Sequence, residues 1–178
     1  MKKQEIDELA RWACLQENIS GVLDLFESQQ EIYRLLRNNL VMRDLERVAR
    51  ASKLYMNFDD SLINTGRGTL SFSRQPDGKS PFFICFSFDK GAVYGISCEE
   101  RYRGIPMEQI YENESDEFWP YGWSYLRLPA DDDSKAAEVG GLTSPEAMRA
   151  IADGRMTKAI EDAIHDAMAL NLLERLDN

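Results

Sequence analysis

Residues 81–88 read "PFFICFSF", and this stretch decides the fold. Successive side chains of a β-strand point to opposite faces of the sheet. That alternation sets four residues against two, namely Phe82, Ile84, Phe86 and Phe88 against Phe83 and Cys85. A strand with two largely apolar faces needs cover on both. The sequence therefore predicts a central strand.

The neighbouring segments predict an antiparallel meander around this strand. "TLSFSR" (69–74) alternates in polarity, and "QPDGKSP" (75–81) has the Pro-Asp-Gly chemistry of a turn. "DKG" (89–91) then leads into "AVYGIS" (92–97). Because "GWSYLRL" (122–128) also alternates, we expect a sheet of about four strands within residues 64–130.

Residues 1–58 carry apolar residues at helical spacing. Three stripes are present: Ile6, Leu9, Ala10 and Ala13; Val22, Leu25, Phe26, Ile32 and Leu36; and Val41, Leu45, Val48 and Ala49. Ser20 is a candidate N-cap for the second stripe. We expect short links around Asn18 and Asn38–Asn39 that fold the helices back as hairpins.

Residues 144–176 predict C-terminal helices packed on the sheet. Ser144 is a candidate N-cap, Pro145 suits the first helical position, and Gly154 suits a helix end with positive φ. The last helix has an apolar stripe of Met156, Ile160, Ala163, Ile164, Ala167 and Met168. Helices, then strands, then helices predict a single α+β domain over residues 1–178.

The chain is acidic, and the acid is unevenly placed. Its formal net charge is −10. Residues 1–89 carry 12 Lys+Arg and 13 Asp+Glu, whereas residues 90–178 carry 9 and 18. An acidic half repels nucleic-acid phosphates and suits a basic partner. We expect a cytoplasmic protein without membrane association, because there is no apolar signal region and no apolar run of roughly 20 residues.

Metal and thiol chemistry are weakly indicated. Cys14, Cys85 and Cys98 have no C-x-x-C spacing, so they predict neither a disulfide framework nor a zinc site. His165 shares a helix with Glu161, Asp162 and Asp166, which is a possible metal cluster, although a solvated polar face explains the same residues. We expect no bound metal, no cofactor and no enzymatic activity.

One basic segment stands out. Residues 34–53 contain six basic and two acidic residues, and Arg43, Arg47 and Arg50 share a helical face. This face has three possible roles: phosphate contacts, an intramolecular contact with the acidic half, or simple solvation.

Residues 118–128, "FWPYGWSYLRL", form an aromatic cluster. Strand alternation puts Trp123, Tyr125 and Arg127 on one face and Leu126 with Leu128 on the other. We favour core packing of Trp123 under a helix, with an exposed binding patch as the alternative. Trp119 is expected at the rim of the strand, beside Glu117.

Residues 64–176 resemble a known family. "LSFSR…FFICFSFDKGAVYGIS", "WPYGWSYLRL" and "SPEAMRAIADGRMTKAIEDAI" are similar to the C-terminal part of large bacterial proteins of the PD-(D/E)XK nuclease superfamily. Such nucleases hold Mg²⁺ with an Asp and an Asp/Glu-x-Lys on adjacent strands. The literal match here is Pro76–Asp77–Gly78–Lys79, which a hairpin turn explains fully. The resemblance thus implies a bacterial or phage protein related to the non-catalytic tail of that family.

Three functions compete on these observations. The leading hypothesis is a non-enzymatic acidic interaction or inhibitor protein that acts on a basic partner protein. The rival is an accessory nucleic-acid module that binds weakly through Arg43, Arg47 and Arg50. The third is a metal-dependent hydrolase that uses Glu161, Asp162 and His165.

Overall fold

The computed structural model describes residues 8, 11–13, 15–76, 80–89, 91–99, 108–128, 141–170 and 173. The chain forms two compact units, Met1–Tyr33 and Arg34–Asn178. The predicted α+β class is confirmed, since helices flank a five-stranded antiparallel sheet in chain order. None of the helices in the described ranges has the length and apolarity that a bilayer crossing requires.

The N-terminal region is helical, but the link predicted at Asn38–Asn39 is wrong. Helix α1 runs Gln16–Asn39, a π-helical segment follows over Leu40–Leu45, and α2 covers Glu46–Ala51. Asn39 keeps right-handed helical dihedrals, with φ −62° and ψ −42°. Asparagine has a low helix propensity, but this preference is weak. The burial of Arg37, Leu40 and Val41 around the two asparagines outweighs it and keeps the chain helical.

Asn18 lies in the first turn of α1, three residues after a bend at Leu15 that follows the helical residues 11–13, and Ser20 lies further inside the helix. The side-chain amide of Asn18 donates to the carbonyl of Trp12 at 3.0 Å. Asn18 therefore satisfies a carbonyl of the preceding turn while its own backbone continues the helix. Ser20 is an interior residue and caps nothing.

The sheet is a meander with strand order β1-β2-β3-β4-β5. The strands are β1 Tyr55–Phe58, β2 Thr69–Ser73, β3 Phe82–Ser87, β4 Val93–Cys98 and β5 Trp123–Tyr125. β3 occupies the centre, as predicted from its two apolar faces. β1 was not predicted, because residues 1–58 were expected to be helical throughout.

One face of the sheet forms the hydrophobic core. Leu70 pairs with Phe86, and Ile84 lies between Phe72 and Ile96, with all five side chains fully buried. We call this the inner face. The opposite, outer face carries Val93, Gly95, Trp123 and Tyr125 at the β4–β5 end.

Short helices complete the second unit. Helix α3, Asp60–Thr65, lies between β1 and β2, and α4 and α5 cover Pro145–Ala152 and Arg155–Ala169. The predicted cap of α4 is confirmed, since Ser144 Oγ accepts from the amide of Ala147 at 3.1 Å. Gly154 has the predicted positive φ, 84°. Helix α5 buries its apolar stripe except Met168, which is half-buried, and it contacts β4 and the π-helical segment.

Candidate interaction surface

The candidate site begins at β5, whose alternation follows the sequence prediction. Trp123 pairs with Gly95 and Tyr125 pairs with Val93 on the outer face. Ser124 and Leu126 are buried on the other side. The indole of Trp123 and the ring of Tyr125 meet edge to face with centroids 5.1 Å apart. This contact holds an aromatic pair at the surface, with Tyr125 36% exposed.

The two tryptophans of the segment differ from the prediction. Trp119, expected at the rim, is only 7% exposed, whereas Trp123, expected in the core, is half-buried. Trp119 packs on Gly95, where a Cβ atom would lie 2.8 Å from Cε3 of the indole. The absence of a side chain at Gly95 makes the space that Trp119 fills. That space depends on the partner strand, so the alternation of β5 alone does not indicate it.

A tight turn fixes which aromatic is buried and which is exposed. One carboxylate oxygen of Asp116 accepts from the amides of Phe118 and Trp119, at 2.8 and 2.7 Å. The hydroxyl of Ser97 donates to the carbonyl of Phe118 at 2.8 Å, which ties the turn to β4. Phe118 consequently remains exposed. Its ring meets the indole of Trp119 edge to face, with the ring centroids 4.8 Å apart.

The segment before this turn covers the free edge of β5. The backbone amide and the side-chain amide of Asn113 both donate to the carbonyl of Trp123, at 2.9 and 3.0 Å. Gly122 has φ 82°, and a Cβ atom there would collide with the carbonyl oxygen of Asn113. Chain segments 110–113 and 121–123 therefore approach more closely than a side chain at residue 122 would permit.

Carboxylates surround these aromatics. Four of the six residues 112–117 are acidic and all four are exposed: Glu112, Glu114, Asp116 and Glu117. Glu112 pairs with Arg127 at 3.0 Å, and both side chains are about half exposed. Glu114 and Glu117 have no ion-pair partner among the described residues. We call these four residues together with Phe118, Trp123 and Tyr125 the acidic–aromatic surface.

A groove between β5 and α5 extends the acidic character around the sheet edge. It has a volume of about 290 Å³, and among the described residues its charged lining comprises Glu112, Asp162, Asp166 and Arg127. Tyr125 borders the groove. Tyr94 also lines the groove, and its pKa is raised first by burial and then by the nearby carboxylates of Asp166 and Glu112.

The arginine face predicted on residues 43–50 is exposed but largely neutralised. Arg43 binds Asp44 through two hydrogen bonds of 2.9 and 3.1 Å, and Arg50 binds Glu46 at 2.6 Å. Arg47 has no ion-pair partner in the part of the chain that the structure describes. Residues 43–50 contain three arginines against Asp44 and Glu46, so the net charge of this stretch is 3 − 2 = +1.

Arg37 contributes nothing to that basic surface. It is 2% exposed, and its guanidinium donates to the backbone carbonyls of Ile63, Asn64 and Leu142. The segment that reads as a basic stripe in sequence is therefore divided between a buried structural arginine and three exposed ones.

The described residues contain no group of three or more metal ligands that could hold an ion. His165 is exposed, and Lys158 contacts both Asp162 and Glu161, at 2.7 and 3.8 Å. Burial raises the pKa of the Cys85 thiol to about 12, as expected of a cysteine packed as an apolar side chain. The nuclease-like match at Asp77–Lys79 lies outside the described residues.

Sequence reasoning placed Trp119, Trp123, Tyr125 and Arg127 in one candidate patch; the structure places Trp123 and Tyr125 on β5 with Arg127 directly after it, whereas Trp119 is buried against Gly95. It missed Phe118 and the acidic residues 112–117 as members of the same surface. The signal was present as a dense acidic run directly before the aromatic segment. Comparisons with family models, curated proteins and solved structures found no match for this chain.

Proposed function

We propose that this chain is a non-enzymatic interaction protein of the cytoplasm that binds a basic partner protein through the acidic–aromatic surface. The observation that carries the proposal is the placement of four exposed carboxylates beside the exposed Phe118 and Tyr125. Aromatic anchors surrounded by a polar rim are the arrangement that gives protein interfaces most of their binding energy.

The surface is rigid enough to recognise a partner. Asp116 and Ser97 hold the turn that presents Phe118, and Asn113 holds the edge of β5 that presents Trp123. Side chains fixed before binding lose less conformational entropy in the complex. Trp123 and Tyr125 already restrict each other through their ring contact.

The groove beside Tyr125 gives the basic partner a specific contact. Glu112 pairs with Arg127 and Asp162 pairs with Lys158 there, so the carboxylate of Asp166 is the one that favours a lysine or arginine side chain from the partner. Asp166 has no ion-pair partner among the described residues and is available to receive it. Carboxylates at an exposed rim also accelerate encounter with a basic protein, with a strong dependence on ionic strength.

The alternative is an accessory nucleic-acid module related to PD-(D/E)XK nucleases, without its own catalytic site. It draws on Arg43, Arg47 and Arg50, two of which pair with carboxylates on the same helical segment. Each phosphate contact would compete with those pairs, in a chain with a net charge of −10. We therefore expect weak nucleic-acid binding that disappears with added salt.

An affinity capture experiment tests the proposal. The wild-type chain and two surface variants, Tyr125→Ser and the double variant Glu114→Lys/Glu117→Lys, are immobilised and exposed to nuclease-treated extract of the source cells. The matched control is Glu27→Lys/Asp89→Lys, which makes the same charge change at two exposed residues outside the surface. Bound proteins are identified by mass spectrometry.

We expect wild type and control to retain the same basic protein and both surface variants to lose it. Equal retention by all four, or retention of an acidic protein alone, would contradict the proposal. An extract without nuclease treatment separates the alternative: nucleic acid captured by wild type and lost in Arg43→Ala/Arg47→Ala/Arg50→Ala favours the nucleic-acid module.

A further inference from the structure

Helix α1 exposes a broad apolar face. Five large apolar side chains between residues 19 and 32 are exposed, and they include Leu25 at 63% and Phe26 at 69%: Ile19, Leu23, Leu25, Phe26 and Ile32. Contiguous exposed apolar surface of this kind marks an interaction site in a folded protein.

The centre of this face has the spacing of a helix that packs against other helices. Ile19, Val22, Phe26, Gln29 and Tyr33 follow one another at intervals of three, four, three and four residues. That alternation is the a/d pattern of helix–helix seams. Leu23, Leu25 and Ile32 widen the seam on both sides, as in the helices of a bundle.

The face carries no formal charge. The acidic residues between positions 18 and 33 are Asp24, Glu27 and Glu31; Asp24 and Glu31 fall on the opposite side of the helix, and Glu27 lies at the edge of the face, one turn after Leu23. The polar members of the seam are neutral, and the side-chain amide of Gln29 donates to the hydroxyl of Tyr33 at 3.0 Å. The helix therefore separates an uncharged apolar side from an acidic side.

We propose that this face binds the same face of further copies of the chain, so that the protein self-associates through α1. Copies with a net charge of −10 repel each other, and only an uncharged face lets them approach without bringing carboxylates together. A basic partner would instead need carboxylates around the rim, and of the three acidic residues only Glu27 borders this face, at its Leu23 edge. Burial of Phe26 and Leu25 against their equivalents supplies the free energy of association.

The test is the mass of the full chain in solution, measured by sedimentation and by light scattering over a range of concentrations. Phe26→Glu places a charge at the centre of the seam. The matched control, Ser20→Glu, places the same charge on the same helix, at an exposed position on the side of Asp24 and Glu31. A second disrupting variant, Leu23→Gln/Phe26→Gln, keeps good helix formers, so that loss of association cannot be due to loss of helix.

We expect wild type and Ser20→Glu to be oligomeric and both disrupting variants to be monomeric, with unchanged circular dichroism. A monomeric wild type, or oligomers that persist in both disrupting variants, would overturn the proposal. The result is independent of the proposed partner binding. High salt screens the acidic–aromatic surface but does not weaken the apolar contact, so association should survive salt that abolishes partner capture.

Discussion

Trp119 lies directly on Gly95, because a Cβ atom at residue 95 would be 2.8 Å from the indole and 2.7 Å from the carbonyl oxygen of Gly122. The second neighbour is backbone and cannot move aside cheaply. We expect Gly95→Ala to destabilise the protein by about 1–3 kcal/mol, the usual effect of overpacking a filled site. Urea unfolding measures the loss, and tryptophan fluorescence reports the displaced indole.

Gly21→Ala is the matched control. Gly21 lies inside α1, and a Cβ atom there would meet nothing within 4 Å. Alanine at an open helix position is expected to stabilise by about 0.5–1 kcal/mol relative to glycine. If Gly95→Ala were as stable as wild type, the packing of Trp119 on Gly95 would be contradicted.

Alanine variants of Trp119 and Trp123 should behave differently. Trp119 is buried, so Trp119→Ala removes a core aromatic and should cost about 3–5 kcal/mol. Trp123 is half-buried, so Trp123→Ala should cost about 1 kcal/mol, near the average for point mutants, while abolishing partner capture. Thermal melts of both variants beside wild type measure the difference. Equal melting temperatures for the two variants would contradict this assignment.

Periodicity predicted the sheet well because it reports which side of a strand is buried. The centre of the sheet at β3, the alternation of β5 and the cap at Ser144 all follow from local side-chain chemistry. β1 was missed because "YMNF" is a short edge strand that follows a helical stripe and has few apolar neighbours in sequence.

The features that were not predicted depend on contacts between segments far apart in the chain. No local sequence pattern indicates such contacts. Asn38–Asn39 looked like a link, yet the burial of Arg37 and Leu40 on either side keeps the helix intact. Burial of Trp119 depends on Gly95, which is 24 positions away in the chain. The interaction surface likewise needs the turn at Asp116 to bring the acidic run beside β5.

Among the charged residues of the second unit, Arg37 should be the one whose substitution lowers the free energy of unfolding most. Its Nε and Nη2 donate to the carbonyls of Ile63 and Asn64 in the last turn of α3, at 2.7 and 3.1 Å, and Nη1 donates to Leu142 at 3.3 Å. Helix-end carbonyls otherwise lack partners. We expect Arg37→Met to cost about 2–4 kcal/mol, because the buried carbonyls lose charge-assisted hydrogen bonds.

Arg37→Lys distinguishes this geometry from simple charge. Lysine keeps the charge, but a single ammonium lacks the planar fork that reaches three carbonyls at once. We expect it to recover only a small part of the stability lost in Arg37→Met, measured by urea unfolding. Full recovery by lysine would show that the three-way contact is not what stabilises the site.

The alkaline limit of stability should depend on Tyr111 and Tyr94. The hydroxyl of Tyr111 is buried without a hydrogen-bond partner among the described residues, and its ring meets that of Tyr94 at 5.7 Å. Burial, with smaller effects of Tyr94 and Asp166, raises the pKa of Tyr111 above its ordinary value. The pKa of Tyr94 is raised in the same direction. In the unfolded chain both phenols titrate near pKa 10.

A raised pKa in the folded state fixes the direction of the effect. Below about pH 10 both the folded and the unfolded chain keep the protons of these two phenols, so the contribution of the raised pKa values to the free energy of unfolding is fully present. As the pH rises further, the unfolded chain loses protons that the folded chain retains, and the free energy of unfolding falls. Urea unfolding at about pH 9 and about pH 11 should show the loss.

Tyr111→Phe should reduce this alkaline loss of stability while leaving stability near neutral pH unchanged or improved, since it removes an unpartnered hydroxyl. Tyr55→Phe, at an exposed tyrosine, is the control and should retain the full alkaline loss. The same loss in Tyr111→Phe as in wild type would contradict a role for the Tyr111 phenol.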